Sequence, residues 1–235
     1  MAMPSPQPNP RKLKILCLHG YHGTAQTIRA QLAPLVAGLE PIADFVYVDA
    51  PSHASGDFGW WHAVEKEGDP AREDPGVDGP QRYYKGWERT RAGIVSTFER
   101  MGPFDGVLGV SQGAALTGLL AGLRASDGRT TPERPLRFDF AVMLLGFVSR
   151  DPGLARLYER TDGYALPSLH VIGGSDEIVP MVDSLELASH FASPVLVEFA
   201  GGHEIPKDPA TRAAVRAFLE ERLKARDGAL PPLKE

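Results

Sequence analysis

The chain predicts an α/β fold: a mostly parallel sheet of about six strands with helices on both faces and a short lid-like insertion. Three observations carry this. Short apolar runs alternate with amphipathic stretches, as they do when crossover helices join parallel strands. Most of the runs are continuously apolar, as expected of strands covered on both faces. With 235 residues, 43% hydrophobic and 23% charged, the chain can bury a substantial core, and its glycine and proline content stays below the low-complexity range.

In order, the strand runs are Lys14–Leu18, Phe45–Val48, Gly106–Val110, Phe140–Leu144, Ser168–Ile172 and Val195–Phe199. A helix from about Ala25 to Leu39 puts Ile28, Leu32, Leu35 and Leu39 on one stripe, and Pro34 should kink or shorten it. A second helix, from about Tyr83 to Met101, spaces Trp87, Ile94, Phe98 and Met101 at helical intervals and stops at Gly102-Pro103. The last helix starts with Asp208 as cap and Pro209 at its first position, and buries Val215, Phe218, Leu219 and Leu223. One domain is expected over 12–225. It lies between a proline-rich leader, 1–11, and a tail, 226–235, to which no structure is assigned. Residues 50–82 are acidic, hold Trp60-Trp61 and show no period. So long a connection reads as a lid or substrate loop. Residues 124–138 read as a polar surface loop.

Composition excludes several partners. The net charge is −5 with scattered basic residues, which argues against nucleic acid. The longest uncharged run, Gly106 to Leu123, has 18 residues but carries Ser111, Gln112, Thr117 and five glycines. It reads as a buried strand, a sharp turn and a buried helix rather than a membrane span. A single cysteine, Cys17, permits no internal disulfide, and the proline-broken start does not form a secretory signal. A cytoplasmic location is therefore expected.

The chemistry centres on Gly109-Val110-Ser111-Gln112-Gly113, a G-x-S-x-G pattern between a strand run and a helix-compatible stretch. Glycines let the backbone turn tightly and leave the serine exposed at the strand's carboxyl end. The bland alternative is a tight connection with Ser111 as a helix cap. A serine nucleophile needs a base, and the base an acid that fixes its tautomer. In the α/β-hydrolase arrangement the order is Ser, Asp or Glu, then His, each in a loop after a later strand. Asp176, in Gly173-Gly174-Ser175-Asp176, and His203, in Gly201-Gly202-His203, fall at those places. Glu177 comes one residue late and Asp183 belongs on the following helix. His170 lies inside a strand, His190 on a helix, and His53 and His62 precede the serine.

An oxyanion hole needs two N–H donors. Gln112 follows the nucleophile at a helix start, and Tyr21 lies in the loop Leu18-His19-Gly20-Tyr21-His22-Gly23 after the first strand. The His19 side chain is expected to brace that loop. His19 and His22 lack the further ligands a metal site requires, so no metal is expected. Trp60, Trp61 and Phe147 are candidates for an apolar acyl pocket, with ordinary core as the competing reading.

Together, Lys14–Tyr21, Tyr47-Val48-Asp49-Ala50-Pro51, Trp60-Trp61, Gly102–Ala115, Leu145-Gly146-Phe147 and Gly201-Gly202-His203 resemble the FSH family of serine hydrolases, small α/β-hydrolase-fold esterases and thioesterases. The resemblance spans about residues 14–220. It implies Ser111, Asp176 and His203 as a triad, hydrolysis of a carboxylic ester or thioester of a small-molecule acyl substrate, and no cofactor. Val110 stands where the family usually has an aromatic residue, and the acidic stretch Glu65–Asp78 looks longer than a minimal member requires. The rival reading is a non-catalytic module of the same fold, acting as a small-molecule receptor or interaction partner.

Overall fold

Successive side chains of a strand leave opposite faces of its sheet, and the first strand shows the result. In β1 (Leu13–Leu18), Leu16 and Leu18 join one core, while Ile15 and Cys17 join the other. The computed structural model describes residues 11–51, 59–65, 82–126 and 136–229. The expected leader, apart from Arg11, and most of the 50–82 insertion lie outside them.

β1 leads through α1 (Ala25–Val36) to β2 (Ala43–Val48). Thr24 caps α1, its hydroxyl accepting the Thr27 N–H at 3.1 Å. Pro34 is accommodated in the last turn, and the helix stops at Val36, short of Leu39. Next come β3 (His62–Glu65), β4 (Arg82–Lys85) and α2 (Trp87–Met101), then β5 (Gly106–Val110), α3 (Gln112–Ser126) and β6 (Phe140–Leu144). A 3-10 turn (Pro152–Leu157), β7 (Ser168–Gly173), α4 (Met181–Ser189), β8 (Pro194–Phe199) and α5 (Pro209–Ala229) complete the order.

Six strands pair in the order β2-β1-β5-β6-β7-β8, every pair parallel. α1 and α5 supply Ile28, Leu32, Leu35, Val215, Phe218 and Leu219 to one core, and helices α2 to α4 cover the other face. Each large aliphatic side chain fully enclosed here stabilises the fold by roughly 1.5–3 kcal/mol. Asp208 begins α5 as expected: its carboxylate accepts the Thr211 N–H at 2.8 Å and the Thr211 hydroxyl at 2.7 Å. Those bonds favour the charged form and hold its pKa below the ordinary value.

Three expectations change. The helix expected from Tyr83 starts at Trp87, because Tyr83 and Tyr84 belong to β4, which pairs antiparallel with β3. β4 is held by tertiary partners: Tyr84 donates its N–H to Asp151 Oδ2, Arg82 its N–H to the Arg150 carbonyl, and the Tyr84 hydroxyl accepts the Arg150 N–H. Gly86, at φ 95°, then makes the corner. The tail placed at 226 is helical through Ala229. Arg226 fastens it by donating to the carbonyls of Arg11 and Lys12 and pairing with Asp105. Asp105 itself accepts from the Lys14 N–H and the Arg11 guanidinium, both at 2.7 Å. Finally, Leu136 and Phe138, placed in a surface loop, are buried.

His170 on β7 is buried, with Ser168 Oγ 3.1 Å from its Nε2 and Phe191 edge-on to its ring. Burial pushes its pKa down from 6.5 to about 4. The folded state thus refuses a proton that the unfolded chain accepts below pH 6.5. This contribution is fully present above pH 6.5 and is lost as pH falls from 6.5 towards 4, by up to about 1.4 kcal/mol per unit. Thermal unfolding of wild type and His170→Gln at pH 7 and pH 5 checks this: the drop in Tm on acidification should be smaller in the variant.

Candidate active site

The chain runs outward from β1 to β2, then returns past β1 to β5. The order therefore reverses between β1 and β5, and ligands of open α/β sheets bind beyond the carboxyl ends of the strands at such a reversal. Leu18 is in register with Gly109, so the loop after β1 and the turn after β5 emerge side by side.

The turn after β5 holds Ser111 at φ 54°. This left-handed conformation costs a non-glycine residue roughly 1–2 kcal/mol and persists only where its surroundings enforce it. Here the Ser111 N–H donates to the Leu144 carbonyl at 2.9 Å, and the Ser111 carbonyl accepts the N–H groups of Ala114 and Ala115 at 2.9 and 3.0 Å. The flanking glycines make room. A Cβ on Gly109 would lie 2.1 Å from the Gly113 carbonyl oxygen, and one on Gly113 would lie 2.2 Å from that of Leu18.

The loops after β7 and β8 are tied together. Ser175 donates its N–H to the Gly201 carbonyl at 3.0 Å and its hydroxyl to that of Ala200 at 3.2 Å. Asp176 and His203 thereby meet Ser111. His203 Nδ1 is 2.7 Å from Asp176 Oδ2, and Nε2 is 3.0 Å from Ser111 Oγ. A carboxylate only accepts hydrogen bonds. It therefore keeps the imidazole proton on Nδ1 and leaves Nε2 as the acceptor facing the hydroxyl. The Asp176 side chain is 1% exposed. Its other oxygen accepts the N–H groups of Ile178 and Val179 at 2.9 and 2.8 Å, so the buried charge is satisfied on both sides. Glu177 is exposed, and Asp183 pairs with Arg150 at 3.2 Å.

A cleft of about 670 Å³ opens over Ser111. One wall comes from Tyr21 and the exposed side of α1, with Thr27, Gln31 and Pro34, and the other from Ile178, Ile205 and Lys207. Gly20 lies against the serine: a Cβ there would sit 3.4 Å from Ser111 Cβ and 3.9 Å from its Oγ. Tyr21 and the Gln112 N–H, the latter at the amino end of α3, thus flank Ser111 from two elements. His62 Nδ1 is 3.2 Å from the Tyr21 hydroxyl. His22, unlike His19, is exposed at the cleft.

The aromatic candidates go elsewhere. Trp60 and Trp61, 1% and 2% exposed, sit in the core and do not line the cleft. Phe147, half-buried, packs against the same core. Trp61 stacks on Tyr84 at 4.5 Å. They are drawn inward by hydrogen bonds: the Trp60 N–H donates to Gln112 Oε1 at 2.8 Å, and Gln112 Nε2 to the Trp61 carbonyl at 3.0 Å. The α1 wall was not singled out from sequence, although the exposed stripe opposite Ile28, Leu32 and Leu35 contains it. Leu145, at φ 55° and also on the cleft, carried no local signal. Among the described residues, no group of three or more His, Cys, Asp or Glu is placed to hold a metal ion, and no helix is long and apolar enough to cross a membrane.

The parallel sheet with its strand-turn-helix elbow is that of the α/β hydrolases. A solved structure with the same fold is Zea mays acyl-protein thioesterase 2, with a TM-score of 0.60 and 20% identity, covering 90% of this chain and 94% of that one. Residues 8–215 match the family described as serine hydrolase (FSH1), and the chain belongs to that family. It is 32% identical over 234 residues to the esterase OVCA2 of Homo sapiens, covering 90% of this chain and 97% of the relative. It is 30% identical over 230 residues to esterase OVCA2 of Xenopus tropicalis, covering 91% and 94%.

The packing of the elbow sets an expectation. Gly109→Ala should destabilise the protein by at least about 3 kcal/mol, since backbone rather than a movable side chain occupies the space, and lower Tm by roughly 6–12 °C. Differential scanning calorimetry reads this directly.

Proposed function

We propose that the protein is a serine esterase or thioesterase that cleaves small to medium acyl substrates through an acyl-enzyme, with Ser111 as nucleophile, His203 as base and Asp176 as the anion that steadies it. The observation that carries the reading is the unbroken hydrogen-bonded line from Ser111 Oγ through His203 to Asp176, at 3.0 and 2.7 Å. Membership of a serine hydrolase family and esterase-named relatives support the same reaction class.

In this mechanism His203 Nε2 takes the Ser111 proton as Oγ bonds to the substrate carbonyl carbon. The carbonyl π electrons move to oxygen, and the N–H groups of Tyr21 and Gln112 receive the oxyanion. Collapse expels the alcohol or thiol, which leaves with the proton from His203. A water then gives its proton to the same nitrogen, attacks the acyl carbon and releases the acid with Ser111 restored. Nothing in this cycle requires a cofactor. The cleft falls within the usual range for small-molecule sites, and its mixed walls suit an oxygenated or medium-length acyl group. A small-molecule ester or thioester is the partner proposed, without nucleic acid or membrane, in a cytoplasmic setting.

Ser111→Ala removes one hydroxyl from an open turn. It should abolish hydrolysis of short p-nitrophenyl esters and labelling by a fluorophosphonate while shifting Tm by no more than about 2 °C. Undiminished turnover, or wild-type protein that neither turns over nor labels, would sink the assignment and leave the receptor reading. Asp176→Asn should lower kcat by about 10⁴-fold, because the amide no longer holds the imidazole in the required tautomer. Steady-state kinetics of the folded variant reads it.

A further inference from the structure

We infer that His19 is a positioning residue for the oxyanion hole: its ring holds the Gly20 carbonyl, and the rigid Gly20–Tyr21 peptide turns that hold into the direction of the Tyr21 N–H. The inference rests on the serine-hydrolase reading above, with the Tyr21 N–H as a donor, and specifies what aims that donor.

His19 is 1% exposed and takes no part in the line from Ser111 to Asp176. Its ring is held from three directions. Nδ1 is 2.7 Å from the Gly20 carbonyl oxygen, Nε2 accepts the Ala50 N–H at 3.1 Å, and the ring stacks on Trp60 at 4.8 Å. The Ala50 bond decides the tautomer. A backbone N–H can only donate, so Nε2 must carry no proton and the proton sits on Nδ1. The Nδ1–H therefore donates to the Gly20 carbonyl. Gly23 donates its N–H to the same oxygen at 3.0 Å, so two donors fix that carbonyl.

A peptide bond is planar and trans, which places the C=O of Gly20 and the N–H of Tyr21 on opposite sides of one rigid plate. Anchoring the carbonyl on the His19 ring aims the Tyr21 N–H away from that ring. The plate lies against the nucleophile, since a Cβ on Gly20 would touch Ser111 Cβ at 3.4 Å. Glycine at 20 tolerates many backbone angles, so without these anchors the plate could rotate and remove one donor from the developing charge.

The same unit reaches the second donor. Trp60 Nε1 donates to the His19 carbonyl at 2.8 Å, while the Trp60 N–H donates to the Gln112 side chain. Both oxyanion segments are thus braced through Trp60, which the sequence left open between acyl pocket and core.

The test uses two replacements that each keep one of the two ring bonds. His19→Asn presents an amide donor near the position of Nδ1 and loses the acceptor for Ala50. His19→Gln presents an acceptor near Nε2 and loses the donor to Gly20. With p-nitrophenyl acetate, the Gln variant should lose about 10²-fold in kcat with KM within twofold, since the donor acts on the transition state. The Asn variant should recover at least tenfold of that loss. Affinity for an aryl trifluoromethyl ketone, whose serine hemiketal carries the same oxyanion, should follow kcat in both. Equal losses in the two variants, or a loss confined to KM, would overturn the assignment. Wild-type protein supplies an independent reading should a variant fail to fold. The ¹⁵N shifts of His19 should show Nδ1 protonated and Nε2 bare at neutral pH, and the opposite tautomer overturns the inference. A wild type inert towards ester and ketone alike would refute the hydrolase reading instead, a result separable from failure of the His19 pair.

Discussion

The left-handed backbone at Ser111 is the constraint on which the site depends. A serine in that conformation is strained, and it persists because Gly109 and Gly113 leave no side chain in the path of the turn while the Leu144 carbonyl and the first N–H groups of α3 grip it. Relaxing the turn would swing the hydroxyl away from His203 and move the start of α3 away from the loop after β1. One local distortion, set in a six-stranded sheet whose core is buried and apolar, therefore serves both the Ser111 hydroxyl and the amino end of the helix behind it.

Topology brings the other parts to that point. Reversal of strand order between β1 and β5 sets the Gly20 loop beside Ser111, and the later strands β7 and β8 deliver Asp176 and His203 from the opposite side. The Asp176 carboxylate is enclosed and satisfied by two backbone N–H groups as well as by His203. The imidazole is tethered while its other nitrogen faces the cleft.

Much of this was legible in the sequence. Parallel strands buried on both faces leave continuous apolar runs, and the six runs match the six strands within two residues at either end. Ser111, Asp176 and His203 were readable because the elbow and the chain order constrain where such groups sit, and the structure brings the three together. What was not legible depends on distant partners. Tyr83 and Tyr84 look helical until Arg150 and Asp151 claim them for β4, and the last turn of α5 depends on Arg226 reaching across to Arg11 and Lys12. Trp60 and Trp61 stayed undecided between acyl pocket and core for a related reason. An aromatic pair in an irregular stretch carries no period, so sequence cannot say whether it faces a cleft or a core, and hydrogen bonds to Gln112 and His19 turn it inward.

The division of the cleft has a consequence for how the protein can diverge. Its floor is built on interlocked residues around Ser111, whereas Thr27, Gln31, Pro34, Ile178 and Lys207 stand on exposed surface at its rim. Substitutions at exposed positions usually shift stability by less than about 0.5 kcal/mol. Rim side chains can therefore be exchanged at almost constant folding free energy, reshaping the mouth of the cleft while Ser111, His203 and Asp176 keep their places.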